Sequence, residues 1–488
     1  MMRLAPRLLF SAPFVFIVIM PAIKGGISSP GYLRNKLQNN SSLMLAQKGE
    51  DIPDINRNGK SRNGMFTHTG KAGISKAFTK PEPPDWYAGD IHVHRSCDGS
   101  SPIPASDLPG MMKVNDLAVI SVLADMGNNQ SADRVEDLKK VNGADSPLSD
   151  SVRIIHYGAE WHWDADQWQF PHQAIGGHLV LLGLKEANKI WEESSSKILD
   201  WAAKQHAVRG FAHIQYLDNT LPDTLNCCIP VDYPVEAALK NIEFISEEQS
   251  GGSDNGILAY YRLLNCGFRL SIAGGTDYSC NNVPLGSVLT YVEIPGGKIS
   301  YQKWIEGIAK GRTVVSRNAH NEFLNLKING TAGPGKDIRL KEKEKVTIQA
   351  SWSVTGKTFG LVEIVYNGRV IAKQSEIARP GNPLTLTITK VFPRSGWICA
   401  RRMDSSGHSH ILHTSPVYVT INGQPVRAGA EDAQYFISWI DTILKNIAPG
   451  GRWNRYFTHD LDMVQERYKK ARDIYSKILI ESYKKNEL

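Results

Sequence analysis

Short β-branched apolar runs that each finish in a metal-competent polar side chain recur through the middle of this chain, and they constrain its fold more than any other feature. The run through Ile91 ends at His92 and His94; residues 117–123 lead to Asp125, 152–157 to Glu160, 210–212 to His213 and 270–273 to Asp277. Continuous apolar runs mark strands buried on both faces, as in a parallel sheet covered by helices. Stretches at 198–207 and 256–264 fit between them as helices. In a parallel barrel the carboxyl ends of the strands form one mouth, so ligands far apart in sequence converge. Singly, a His or Asp after a strand is a cap or a loop residue; the ensemble is what points to a metal. His92 and His94 lie two apart on a strand, so both imidazoles project to one side as a His-x-His pair requires.

With 488 residues, 41% of them hydrophobic, the chain is long enough for two or three domains with buried cores. A charged fraction of 22% and a mean hydropathy of −0.29 exclude a multi-span membrane protein and a wholly disordered one. The net charge of +7 is mild, and no long block of like charge marks a nucleic-acid tail, so no nucleic-acid partner is expected.

At the amino end, Arg3 and Arg7 precede an apolar run over 8–23 with small residues near Ala22, Gly25 and Gly26, the order of a secretory signal peptide. Pro13 and Pro21 make the run a poor spanning helix. An exported protein, periplasmic or secreted, is expected, with an uncleaved membrane anchor as the alternative and no other membrane contact. Residues 1–25 are read as this leader and 26–84 as a flexible linker rich in Asn, Ser, Gly and Lys. The cysteines at 97, 227, 228, 266, 280 and 399 fit no CxxC metal knuckle. At most one bridge is expected, with Cys266 or Cys280 joined to Cys227 or Cys228, and buried free thiols are the other reading.

The segment Gly89-Asp90-Ile91-His92-Val93-His94, followed by Asp98-Gly99-Ser100, resembles the first motif of the PHP (polymerase and histidinol phosphatase) metallohydrolases, and more narrowly their CehA/McbA branch. Further motifs of that branch are Gly158-Ala159-Glu160, Gly176-Gly177-His178, Ala212-His213, Ala273-Gly274-Gly275-Thr276-Asp277 and Gly311-Arg312-Thr313. The resemblance spans residues 85–423 in order. It implies an α/β fold with a PHP-like distorted (β/α) barrel over 85–318, to which the strand pattern beyond it adds an antiparallel β-sandwich over 319–423 and the amphipathic periodicity a helical tail over 424–488. The chain departs from the family where Met126 follows Asp125 and where Ser279 ends the usual Asp-x-His. A three-metal site is therefore not expected; one or two ions held by His92, His94, Glu160, His213 and Asp277 are, with His178 as a further ligand or a proton shuttle.

Imidazoles mixed with carboxylates suit Zn²⁺ first, then Mn²⁺ or Fe²⁺, and argue against an all-oxygen calcium cage. Metal-activated water implies hydrolysis of a small-molecule substrate. In this reading Asp277 binds metal and takes the proton of the attacking water, Glu160 bridges or fills the neighbouring position, and His178 stabilises the oxyanion or protonates the leaving group. Asp90 is read as orienting a ligand imidazole or as a solvent residue at the strand start. Arg95 and the aromatics Trp161, Trp163, Trp168 and Phe170 after Glu160 are candidate substrate contacts, or else a cap on the barrel. Few clustered cations favour an ester, carbamate or amide, with a phosphoester as the alternative. A non-catalytic protein that holds a glycan or other surface ligand over a degenerate metal site is the reading from another class.

Beyond Arg317 the pattern changes to alternating strands with an Asn367-Gly368 hairpin signal. In the tail, Leu461, Val464, Tyr468, Ala471, Tyr475 and Ile478 form one apolar helical stripe, and Pro449-Gly450-Gly451 separates it from a preceding helix.

Overall fold

The computed structural model describes residues 80–96, 102–127, 136–161, 177–190, 194–217, 220–222, 230–248, 254–280, 283–457 and 459–484. The expected leader, most of the linker, Cys97, Cys227, Cys228, Trp163, Trp168 and Phe170 lie outside them.

Nine strands wind the first half: β1 (Trp86–Val93), β2 (Val119–Asp125), β3 (Ile154–Trp161), β4 (Leu179–Leu182), β5 (Val208–Phe211), β6 (Phe244–Glu247), β7 (Ser271–Gly274), β8 (Leu289–Glu293) and β9 (Thr313–Ser316). The apolar runs that predicted strands are strands, and β2, β3 and β7 are buried throughout. β1, β2 and β3 pair in parallel, as do β5, β6 and β7. The sheet is mixed rather than purely parallel, because β4 runs antiparallel to both β3 and β5, and β8 runs antiparallel to β1 and β9. Its ends meet through side chains: the Gly274 N–H donates to Thr290 Oγ1 (2.7 Å) and Thr313 Oγ1 donates to Ile272 O (2.7 Å). That closure gives a distorted barrel. Helices α1 (Leu108–Val114), α2 (Ser195–Lys204), α3 (Tyr233–Ala238), α4 (Asn255–Asn265) and α5 (Tyr301–Ala309) lie between the strands in sequence. Trp304 and Ile305 of α5 pack with Ile91, Leu123, Val180, Phe244 and Val292 in one buried cluster.

The antiparallel module follows as β10 (Glu322–Ile328), β11 (Asp337–Leu340), β12 (Lys345–Val354), β13 (Thr358–Tyr366), β14 (Arg369–Ala378), β15 (Leu384–Val391), β16 (Gly396–Met403), β17 (His410–Thr414) and β18 (Val417–Ile421). β10, β12 and β15 form a three-stranded sheet, and β12 alternates buried and less buried residues as a half-covered strand should. The remaining strands continue the barrel sheet, because β17 pairs with β9 through Leu412, His413 and Thr414. The expected boundary at 318/319 thus falls between β9 and β10, and hydrogen bonds cross from barrel to module without a linker. Asn367 and Gly368 both take positive φ, +49° and +79°, which turns β13 into β14.

Two helices close the chain, α6 (Ala430–Ile447) and α7 (Leu461–Lys484). Val464, Tyr468, Ala471, Tyr475 and Ile478 of the apolar stripe are buried, and α7 packs on α6 and α3. Among the described residues no helix is long and apolar enough to cross a membrane.

Candidate metal centre

Strand ends gather the ligands. His92 lies at the end of β1 and His94 directly after it, Glu160 lies near the end of β3, and His213 and Asp277 follow β5 and β7 in left-handed conformations (φ +60° and +51°). His178 precedes its strand instead of following it. Because β4 runs antiparallel to its neighbours, its amino end opens on the same mouth as the carboxyl ends of β3 and β5.

Two buried groups result. In the first, His92, His94, Glu160 and Asp277 each offer an atom within 4.8 Å of the others. The two Nε2 atoms are 3.1 Å apart; Glu160 Oε2 is 2.9 Å from His94 Nε2 and 3.3 Å from His92 Nε2, and Asp277 Oδ1 is 3.4 Å from both. In the second, Glu160 Oε1 lies 3.0 Å from His178 Nδ1, which is 2.9 Å from His213 Nε2. Glu160 belongs to both groups and turns one oxygen to each.

The rings are oriented from behind. His94 Nδ1 lies 3.1 Å from Leu123 O, so it carries the proton and leaves the Nε2 lone pair aimed at the cluster. Glu248, directly after β6, faces the Nδ1 side of one ring of each group: its Oε1 is 3.5 Å from His92 Nδ1 and its Oε2 is 3.3 Å from His213 Nδ1. The His213 backbone N–H also donates to Glu248 Oε2 at 2.7 Å. Burial alone would raise the Glu248 pKa, but the two rings bring it down to about 2. His92 is buried, which disfavours its charged form, yet the Glu160 and Asp277 carboxylates push its pKa well above the ordinary value, and His213 is raised through Glu248 in the same way. Burial raises Asp277. Carboxylates set beside buried imidazoles whose ring nitrogens converge, Nε2 of His92, His94 and His213 and Nδ1 of His178, make a donor set fitted to a divalent cation, which takes the place of the protons on these rings.

Several expectations need restating. Asp90 does not touch an imidazole: its Oδ1 accepts the N–H groups of His92 (3.1 Å) and Thr276 (3.0 Å), and its Oδ2 accepts Thr276 Oγ1 (2.5 Å) and the Gly286 N–H (3.2 Å). It ties the β1 end to the Asp277 loop. Burial raises its pKa to about 6. Asp125 stands beside Glu160 in register but joins neither group; its Oδ1 accepts the Gly127 N–H at 2.9 Å. Met126 is fully buried among apolar side chains. Arg95 pairs with Asp137 (Nε to Oδ2, 3.2 Å). Trp161 shares its face of β3 with Ile155, Tyr157 and Ala159 in the core, opposite Glu160, and donates to Ile190 O at 3.0 Å. Cys280 is disulfide-bonded, and Cys266 and Cys399 are free buried thiols, so of the two proposed partners Cys280 is the bridged one.

Glu248 escaped the sequence reading. Only Phe244 and Ile245 precede Ser246, Glu247 and Glu248, and Glu243 interrupts the kind of apolar run that marked the other strands.

No family model matches the sequence, and no curated protein matches it. Among solved structures the chain is similar to a two-domain protein from Bacteroides vulgatus described as containing a predicted PHP-like metal-dependent phosphoesterase. The identity is 12% over 70% of this chain and 100% of that one, with a TM-score of 0.37. It is also similar to fibronectin(III)-like modules of Clostridium thermocellum CbhA, at 14% identity over 20% of this chain and 97% of that one, with a TM-score of 0.15. Neither likeness carries an argument here, and the fold rests on the strand pairing above.

Proposed function

We propose that the protein is an exported metal-dependent hydrolase of the PHP type, CehA/McbA-like, acting on an ester, carbamate or amide. The observation that carries this reading is Glu160, which presents Oε2 to His92 and His94 and Oε1 to His178 and His213. His92, His94, Glu160 and Asp277 would hold one ion, and Glu160, His178 and His213 a second, with zinc preferred by the donor chemistry. When bound, such ions supply a water of lowered pKa and polarise the bond under attack. Glu248 fixes the His92 and His213 rings so that their Nε2 atoms stay aimed inward. Asp277, made more basic by burial, takes the proton of the attacking water on its carboxylate. The disulfide at Cys280 supports an oxidising, exported setting. A neutral scissile bond is favoured because Arg95, the cation of the ligand-bearing segments, is engaged by Asp137.

The test is turnover of an aryl ester, an aryl carbamate and an aryl phosphate by chelator-stripped protein before and after addition of Zn²⁺, Mn²⁺ or Fe²⁺. Metal-restored cleavage of the ester or carbamate is expected, and its loss in Glu160→Gln. Cleavage of the phosphate alone would transfer the reading to a phosphoesterase. Metal-loaded protein inert on all three would favour the non-catalytic binding reading.

A further inference from the structure

Glu247 and Glu248 are consecutive at the end of β6, so their side chains leave opposite faces of the strand. Glu248 enters the barrel and meets His92 and His213. Glu247 points the other way, toward the antiparallel module, and is completely enclosed there. Its Oε1 pairs with Arg317 Nη2 at 3.0 Å, and its Oε2 lies 2.9 Å from His410 Nε2. The other ring nitrogen of His410, Nδ1, lies 2.9 Å from Asp254 Oδ1, just ahead of α4. Arg317 spans the same junction: its Nη1 donates to His410 O (3.2 Å) and its backbone N–H to Ile411 O (2.8 Å).

Glu247, Arg317 and His410 are buried and Asp254 half-buried, and together they form one connected network of charged and polar groups. Removing one member leaves an uncompensated charge that the others must move to accommodate. The Glu247 backbone cannot move alone, because its carbonyl accepts the Gly275 N–H (3.0 Å), two residues before Asp277.

We propose that His410 and Arg317 are positioning residues for the metal centre: His410 of the module and Arg317, just after β9, clamp Glu247 between them and so set the strand end from which Glu248 orients a histidine of each metal group. This rests on the metal-binding reading above. It gives the antiparallel module a part in the site without any of its residues reaching a ligand.

The experiment measures Zn²⁺ affinity of the full chain by competition with a chromophoric chelator, together with the visible spectrum of the Co²⁺-loaded protein. The variants are His410→Gln and Arg317→Lys. Tyr261→Phe serves as a control, removing a buried hydroxyl contact to His413 (2.7 Å) in the same region without touching Glu247. His410→Gln is expected to weaken Zn²⁺ binding about tenfold and to alter the Co²⁺ bands, the size seen when outer-shell partners of ligands are lost. Tyr261→Phe is expected to lower the melting temperature while leaving affinity and spectrum as in the wild type. Arg317→Lys keeps the charge but loses the fork, so it should follow His410→Gln, and it carries the test if His410→Gln does not fold. Wild-type affinity and spectrum in a folded His410→Gln or Arg317→Lys protein would overturn the proposal alone. A wild-type protein that binds neither Zn²⁺ nor Co²⁺ would overturn the metal reading beneath it.

Discussion

Glu248 meets His213 twice: its Oε2 accepts the His213 backbone N–H at 2.7 Å and lies 3.3 Å from the Nδ1 of the same residue. The other oxygen faces His92 Nδ1, so one carboxylate orients a ring in each group of candidate ligands. Glu248→Gln removes no ligand, yet it should lower metal affinity about 10–100-fold, because an amide cannot compensate both imidazoles. Chelator competition checks this; unchanged affinity would mean that the rings are oriented by packing alone.

The candidate ligand set was largely legible because its chemistry is written in spacing. His92 and His94 share a strand face, and Glu160, His213 and Asp277 terminate apolar runs. Glu248 was not, because an orienting acid touches the imidazoles of residues 156 and 35 positions away, and nothing local distinguishes it from a solvent-exposed glutamate; those separations are read from the numbering of His92, His213 and Glu248. The strand β17 was hidden for a related reason. Its buried His410 and His413 lie in polar networks, so it lacks the apolar alternation that revealed β12. The reversed direction of β4 was equally silent, since a four-residue apolar run carries no sign of its orientation.

The two groups should empty separately. In a His178→Ala/His213→Ala variant, Glu160 Oε2 and its partners remain, so about one equivalent of metal should stay bound where the wild type holds about two. Elemental analysis after gel filtration reads this directly. Loss of all metal would show that the groups fill only as a unit.

Gly275 lies against β1 so closely that a Cβ there would sit 2.7 Å from Asp90 Oδ1 and from His92 N. Gly275→Ala must push the Asp277 loop away from the His pair. A destabilisation of about 1–3 kcal/mol in urea unfolding is expected, the usual cost of overpacking, together with weaker metal binding. Wild-type stability and affinity would show that the loop yields without disturbing Asp277.

Asp232 is buried between Ser195, whose hydroxyl donates to it at 2.7 Å, and Tyr468 of α7. Burial raises its pKa from 3.8 to about 7. The unfolded chain therefore releases this proton first. The contribution of Asp232 to stability is greatest below about pH 4 and is lost as pH rises to about 7, by on the order of 4 kcal/mol. Asp232→Asn should remove that part of the slope in urea melts taken across the window and should gain on the wild type at pH 8. An identical slope in both proteins would place the titration elsewhere.

The central claim is that His92 and His94, with Glu160 between the two groups, make this mouth a metal centre. Elemental mass spectrometry tests it most directly, on protein purified without chelator or a metal-affinity tag, beside a His92→Ala/His94→Ala variant. The account predicts about one to two equivalents of zinc, manganese or iron in the wild type and a loss of at least the ion held by the His pair in the variant. A wild-type protein that stays free of metal after reconstitution with each ion, or a variant that keeps the full complement, would contradict it.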